Sequence, residues 1–337
     1  MMKKTAIALG IAAMACGAQA AEVFKNADTA IEVNLDLQFY NLNVVETADT
    51  TARNYIKGDG TQAQFKASKV INEDLTVFGQ IELDGDPVGD NATLLTDDMK
   101  FGLTSKTWGT IQLGQFDSFM EDELMEMTNS FIISKSDAIT EPTAGNDGRH
   151  ILWKHKIGSL AVGVDLTQGY NAASSATDGT NGVAFTATYT MGDLKLAAGS
   201  STIARYNSST YAANSFKGAS GFGASYTLNS AAGVTKFNLL SATNTSYSTT
   251  AAYDGLDTKY NSGSIVHTFG QWNVGVLGSA RSAAATSSTV DATEYQETAY
   301  QVVYDLGKGA RLYATNSNLG ASGGKGNFTE VGFLMSF

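Results

Sequence analysis

Hydrophobic and polar residues alternate along many short stretches of this chain. In the clearest stretch, every second residue is large and apolar: Ile31, Val33, Leu35, Leu37 and Phe39. Polar side chains and Tyr40 occupy the positions between them. A period of two predicts a β-strand with one apolar face and one polar face. Comparable alternation without a helical period recurs at 75–83, 160–167, 183–190 and 300–306.

The final stretch, TEVGFLMSF, follows the same rule. Its apolar residues Val331, Phe333, Met335 and Phe337 share one parity, and on the other parity only Leu334 is large and apolar. Chain ends usually fray into water, so an aromatic residue at this position on the apolar face of a strand is unusual in a soluble domain. We therefore expect this face to be covered by protein or by lipid.

Short turns and longer polar stretches alternate between the predicted strands. The seven short turns lie at 71–74, 106–109, 156–158, 191–193, 229–233, 269–271 and 307–309. Their spacing of about 35 to 40 residues, with one gap of about 50, fits two strands of about 10 residues, one turn and one longer loop. Seven turns and eight loops predict sixteen strands. An even number lets the last strand pair antiparallel with the first, so that the sheet closes into a barrel without edges.

A closed barrel of sixteen strands is too wide for its own side chains to fill. We therefore predict an all-β protein, a transmembrane antiparallel β-barrel whose large apolar residues face lipid and whose polar residues face an aqueous lumen. The composition agrees, because the chain has 35 glycines and only two prolines, and proline interrupts strand pairing. A soluble β-sandwich or β-solenoid is the alternative, which explains the alternation but not the regular exchange of short and long connections.

The first 20 residues have the pattern of a secretory signal peptide. Two lysines precede an apolar run at 5–15, which is too short to span a bilayer, and the AQA sequence at 18–20 fits a cleavage site. Cleavage there would leave a single domain, residues 21–337. The alternative is a lipoprotein signal at Cys16, although the leucine usual three residues before such a cysteine is absent. Cys16 is the only cysteine, so no disulfide is expected after export.

The balance of charges excludes one class of partner. The chain carries 33 acidic residues against 22 lysines and arginines, a formal net charge of −11, which argues against nucleic acid. No Ser/His/Asp spacing or phosphate-binding glycine loop stands out, and His150, His155 and His267 are too scattered for a metal site. We therefore expect no enzyme and no catalytic cofactor.

Three segments resemble the general, non-specific porins of Gram-negative bacteria. AQAAEVFKNADTAIEVNLDLQFYN, at 18–41, resembles the start of these proteins. QFKASKVINEDLTVFGQIELD, at 64–84, resembles their second and third strands with the periplasmic turn between them. KFGLTSKTWGTIQLGQFDSF, at 100–119, resembles their fourth and fifth strands and the entry to the long third loop. The resemblance covers 18–120 well, recurs at 148–170 and at the C-terminus, and elsewhere is one of pattern.

The resemblance implies a homotrimer in the outer membrane of a Gram-negative bacterium, surrounded by lipid and lipopolysaccharide. Long external loops and short periplasmic turns would connect the strands, and small hydrophilic solutes and cations would pass without energy input. Phe333, Met335 and Phe337 are similar to the aromatic signal that the barrel-insertion machinery reads during assembly.

The stretch from 115 to 148 lacks convincing alternation, and a loop of that length usually has a function. The resemblance identifies it as the third loop, which in porins folds into the barrel and narrows it. It carries five acidic residues, Asp117, Glu121, Asp122, Glu123 and Glu126. Carboxylates at a constriction attract cations, whereas on an exposed loop they simply face water. A short helix with Met120, Leu124 and Met127 or Phe131 on one side is also expected.

The opposite wall departs from the family pattern. Porins usually carry an arginine cluster there, but this chain has five arginines in total, and Gln115 stands where the family often has arginine. The candidates for a basic wall are Lys66, Lys100 and Arg149. The parity of RHILWKHK at 149–156 stays open, because Leu152 breaks the alternation. Fewer fixed cations beside more carboxylates predict a preference for cations.

The second long loop carries one weaker signal. Asp84, Asp86 and Asp90 lie close together there and supply the oxygen ligands that Ca²⁺ prefers, although turns also require these residue types. A structural calcium is thus an alternative to no cofactor at all.

The combined prediction is a water-filled channel for the passive diffusion of ions and small hydrophilic solutes, with weak cation selectivity. A substrate-selective porin for a sugar, phosphate or organic acid is the alternative, which requires a file of aromatic residues or a matched basic cluster along the lumen. An enzyme, adhesin or anchor requires a catalytic set, a separate domain or a plug, and sixteen strands use the whole of 21–337.

Overall fold

The computed structural model describes residues 21–44, 53–57, 61–85, 94–128, 149–168, 179–206, 216–245, 257–283, 293–319 and 328–337. The strands are β1 Ala21–Lys25, β2 Thr29–Val44, β3 Arg53–Lys57, β4 Thr61–Val70, β5 Leu75–Gly85, β6 Leu94–Ser105, β7 Gly109–Gln115, β8 Arg149–Ile157, β9 Leu160–Gln168, β10 Gly179–Met191, β11 Leu194–Tyr206, β12 Phe216–Lys217, β13 Ala219–Ser230, β14 Gly233–Thr245, β15 Asp257–Phe269, β16 Trp272–Ala283, β17 Thr293–Gly307, β18 Ala310–Leu319 and β19 Phe328–Ser336. Helix α1 spans Phe119–Glu123, and a 3-10 turn spans Met125–Thr128. Within the described part of the chain, no helix has the length and hydrophobicity needed to cross a membrane.

The sheet closes where β19 pairs antiparallel with β2. Three positions around the barrel are each shared by two strands in succession. Along one edge of β2, β1 follows β19. Along the other edge of β2, β4 follows β3. Along one edge of β11, β13 follows β12. The nineteen strands of the described residues therefore fill sixteen positions, which confirms the predicted sixteen-stranded antiparallel barrel.

Alternation along the strands separates the two faces of the wall. The outer face exposes large apolar side chains, among them Phe65, Phe101, Phe185, Phe222, Tyr300 and Val331. The inner face carries polar or small residues that are nearly inaccessible, among them Gln112, Thr186, Asn238, Gln301 and Thr315. Successive side chains of a strand point to opposite faces, so the period of two in the sequence sorts them in this way.

The last strand shows the same division. Phe337 continues the pairing beyond β19, because its N–H donates to the carbonyl oxygen of Leu35 at 2.8 Å and the Leu35 N–H donates back at 3.2 Å. Val331 lies on the outer face, where it is 57% exposed, and Phe333 pairs there with Phe39. Leu334 has the opposite parity because it packs inward on an apolar cluster, formed by Tyr40, Val303 and Tyr313. The assembly role of Phe333, Met335 and Phe337 stays a prediction.

All seven predicted turns join strands at the expected places. Gly158 and Gly192 have φ values of +60° and +58°, which side chains of other residues disfavour. One further turn, 26–28 between β1 and β2, was not predicted. The Asn26 side-chain oxygen accepts there from the N–H groups of Asp28 at 2.9 Å and Thr29 at 2.8 Å. The proposed signal segment, residues 1–20, lies outside the described residues.

Candidate functional site

The third loop enters the barrel directly after β7. Phe116, the first residue beyond the strand, is 2% exposed. Ser118 then starts α1 as an N-cap, because its Oγ accepts from the Glu121 N–H at 3.1 Å and so satisfies a free backbone donor. The 3-10 turn continues the helical path to Thr128.

The apolar side of this segment packs on the inner wall. Met120 and Leu124 are fully buried, and Met125 and Met127 are 5% and 9% exposed. Their partners are small or apolar residues of β10, β11, β13, β14 and β15: Ala184, Ala197, Ala219, Leu240, Ala242 and Tyr260. The third loop therefore folds into the lumen, as predicted, and Met120, Leu124 and Met127 lie on one side. Phe131 lies outside the described residues.

The polar side of the loop faces a lumen cavity of about 360 Å³. The opposite side of this cavity is formed by β5, β6, β7 and β8. Its charged lining consists of three aspartates and two lysines: Asp98, Asp117, Asp122, Lys100 and Lys154. The other lining residues are polar except for Phe78. Carboxylates from the loop thus meet lysines from the wall across a space large enough for several water molecules.

Two loop carboxyl groups in this cavity are weaker acids than usual. Both side chains are exposed to the lumen, but the enclosing wall removes part of their hydration. This partial desolvation raises the pKa of Asp117 to about 6, and nearby carboxylates, first that of Asp98, raise it further. Desolvation also raises the pKa of Asp122 to about 6, although Lys154 and Lys100 act in the opposite direction.

The remaining loop acids occupy different environments. Glu123 accepts from Lys195 Nζ on β11 at 2.6 Å, so its charge is paired at the wall. Glu121 is 6% exposed and is not part of the cavity lining. Glu126 is half-buried, and its charge contributes to the raised pKa of Asp117 and of Asp122. Of the five predicted acids, the structure brings Asp117 and Asp122 to the lumen cavity.

The three predicted basic residues are also separated. Lys100 lines the cavity, and its Nζ lies 2.6 Å from Asp98 Oδ2. Lys66 faces a second lumen cavity of about 200 Å³, together with Glu32 and Gln80. Arg149 begins β8, and its side chain lies outside what the structure describes.

Lys154, which lines the cavity beside Lys100, is not among the predicted basic residues. The signal was the parity of β8, which Leu152 made ambiguous. Leu152 is 1% exposed and points inward because it packs against Phe116 and Phe119 of the third loop. Ile151 lies on the outer face with 45% exposure. Lys154, two residues after Leu152, is therefore on the inner face.

A buried polar pair lies behind the start of the loop. The Nδ1 atom of His150 is 2.8 Å from Asp165 Oδ1, and the Phe116 ring lies against the imidazole with 5.2 Å between centroids. Among the described residues, no group of three or more histidine, cysteine or acidic side chains could hold a metal. Asp84 is the last residue but one of β5, whereas Asp86 and Asp90 lie outside the described residues, so calcium stays a prediction.

The sequence model of the Gram-negative porin family matches residues 5–323. The chain belongs to the Gram-negative porin family. The family and the closed barrel place this porin in the outer membrane, and they indicate a channel for passive diffusion rather than an enzyme. No curated protein sequence matches the chain.

Solved porin structures have the same fold. OmpF of Salmonella typhi, in complex with daunomycin, is 15% identical with a TM-score of 0.75, and the match covers 93% of this chain and 99% of that one. OmpT of Vibrio cholerae, in its trimer form, is 11% identical with a TM-score of 0.67 and coverage of 92% and 100%. An anion-selective porin from Comamonas acidovorans is 13% identical, again with a TM-score of 0.67 and coverage of 92% and 100%.

Proposed function

We propose that this porin is a weakly cation-selective channel for ions and small hydrophilic solutes, narrowed by residues 116–128 of the third loop. The observation that carries the proposal is the lumen cavity between this segment and β5–β8, into which Asp117 and Asp122 project. A water-filled passage bordered by carboxylates favours cations and repels anions.

The balance of charge around the cavity supports the direction of selectivity. Lys100 is paired with Asp98 at 2.6 Å, which leaves Lys154 to face the two loop aspartates. A neighbouring lumen cavity of about 290 Å³ is lined by Asp36 and Glu82 together with amide side chains. Acidic side chains therefore outnumber lysines around these two cavities, and the selectivity is weak because Lys100 and Lys154 remain close to the path.

Assembly into a homotrimer is part of the proposal. It is supported by the family and by the trimer form of the Vibrio cholerae relative. The surrounding partners would be outer-membrane lipid and lipopolysaccharide, and the barrel-insertion machinery would act during assembly. The outer belt of exposed apolar residues, including Phe101, Phe185 and Phe222, is the surface that lipid would cover.

The test is the reversal potential of the purified porin in a planar bilayer under a KCl gradient at pH 7.5. We expect stable conductance steps in groups of three, one for each subunit of a trimer, and a reversal potential whose sign shows that cations permeate better than anions. The double variant Asp117→Asn/Asp122→Asn should reduce that potential, because it removes two charges and preserves side-chain size. Asp193→Asn, in the exposed turn between β10 and β11, is the matched control and should have no effect.

Each alternative has its own outcome. A preference for anions contradicts the proposed role of the aspartates and leaves the barrel intact. Conductance that a sugar, phosphate or organic acid blocks at low concentration supports the substrate-selective alternative.

A further inference from the structure

The third loop rests on a row of glycines in the wall. Gly163, Gly199 and Gly223 lie on the inner faces of β9, β11 and β13. Glycine inside a strand lowers its stability, and a common reason for its presence is the close approach of another part of the chain. We call these three residues the glycine seat.

Loop side chains closely approach the place that a Cβ would take at each of these glycines. A Cβ on Gly163 would collide with the Phe119 ring. One on Gly223 would lie 2.6 Å from Met127 Sδ. One on Gly199 would lie 3.2 Å from both Leu124 Cδ2 and Met120 Cγ. The contact thus runs along the whole described helical segment, from its first residue to its 3-10 turn.

Polar contacts reinforce the same arrangement. Glu123 is paired with Lys195 at 2.6 Å, and the Thr128 hydroxyl lies 2.6 Å from that of Ser262 on β15. The buried apolar side chains face the wall, so the exposed side of the segment must face the pore. Asp122 is exposed and lies two residues before the fully buried Leu124, so it is on that side.

We propose that the glycine seat sets the width of the channel. The recess left by three missing side chains lets the loop lie close to β9–β13, and this fixes how far Asp117 and Asp122 project toward β5–β8. Added volume in the seat moves the loop into the passage, and volume removed from the loop side chains loosens it. The inference rests on the proposed function, in which this segment is the constriction.

The test fills the seat and then restores the fit. Gly199→Val adds branched volume against Leu124 and Met120, and we expect a loss of single-channel conductance. The double variant Gly199→Val/Leu124→Ala removes volume opposite the new side chain, and the conductance should return toward that of the native porin. Gly278→Val is the matched control, because a Cβ on Gly278, within β16, would have open space around it to 4 Å and should leave conductance unchanged.

A barrel that forms normally separates this effect from misfolding, so each variant is first compared by its heat-dependent mobility on gels. If Gly199→Val does not form the barrel, Gly199→Ala replaces it, since its Cβ requires a shift of a few tenths of an ångström. If Gly199→Val or Gly199→Ala forms the barrel and has native conductance and selectivity, the proposed role of the glycine seat is wrong. Failure of the proposed function is distinct: the aspartate variants then leave selectivity unchanged, while Gly199→Val still lowers conductance.

Discussion

The Nζ atom of Lys195 on β11 lies 2.6 Å from Oε2 of Glu123 in α1, and this ion pair ties the third loop to the barrel wall. The two side chains are 38% and 30% exposed, so lumen water screens their attraction. Ion pairs of this kind contribute about 0.2–1 kcal/mol to stability. The larger consequence is electrostatic, because Lys195 neutralises a carboxylate that would otherwise add to the negative charge of the proposed constriction.

Replacing Lys195 should therefore increase the cation preference. In Lys195→Met, Glu123 keeps its charge without a partner, and we expect the reversal potential under a KCl gradient to move further toward cations. Lys195→Arg, which preserves the charge, should behave like the native porin. A potential that moves toward anions in Lys195→Met contradicts the placement of Glu123 beside the conduction path.

Selectivity should also depend on pH near neutrality. The pKa values of Asp117 and Asp122 are raised to about 6, so both carboxylates are largely ionised at pH 7.5 and largely protonated at pH 5. The surrounding charges are those of four acids and two lysines: Asp97, Asp98, Glu123, Glu126, Lys100 and Lys154. Cation preference should be present above pH 6 and weaken below it. The measurement is the reversal potential between pH 5 and 8.

The stability of the folded porin should change with pH in the opposite direction to its cation preference. A carboxyl group whose folded pKa lies above its ordinary value of about 4 favours folding most at low pH and loses that contribution as pH rises through about 6.

The double variant Asp117→Asn/Asp122→Asn is the control for the selectivity measurement, because it should flatten the pH dependence of selectivity. If the variant retains the full pH dependence, other groups cause it.

The barrel was predictable because its rule is local. Every second residue faces the same side of a strand, so Ile31 and Phe39 could be assigned to the outer face without knowing any partner strand. The same rule fails on the inner face wherever the third loop covers the wall. Leu152 and Leu240 point inward although they are apolar, because they pack against Phe116 or the loop methionines.

The arrangement of charges was less predictable for a related reason. The acids at 117–126 were recognisable from composition, but the helix divides them between the wall and the lumen. Glu123 meets Lys195 some 72 positions later in the chain, a pairing that no local pattern encodes. The position of Lys154 was not predictable, because the parity of its strand depends on the same loop contacts that place Leu152 inward.

Truncating Leu124 should release the third loop without opening the barrel. Its side chain is fully buried, and a leucine-to-alanine change at such a site costs about 2–5 kcal/mol. Because 1.4 kcal/mol is a tenfold change, Leu124→Ala should make loop opening at least about 25-fold more frequent. The measurement is the rate of protease cleavage within 116–128 of the folded porin. Leu312→Ala, on the outer face with 47% exposure, is the control. Equal cleavage in both variants contradicts the prediction.

The seam that closes the barrel contains a buried hydrogen-bonded tyrosine. The Tyr313 hydroxyl donates to Glu330 Oε1 at 3.0 Å and accepts from Gln38 Nε2 at 3.1 Å, so one group joins β18, β19 and β2. Tyr313→Phe removes both bonds among side chains that are 2–8% exposed, and we expect a loss of about 1–3 kcal/mol in the free energy of unfolding. The measurement is denaturant unfolding of the purified porin, with conductance as a second readout that should not change. Tyr300→Phe, on the outer face with 56% exposure, is the matched control and should be nearly neutral. Equal stability of the two variants would show that the seam does not depend on this hydroxyl.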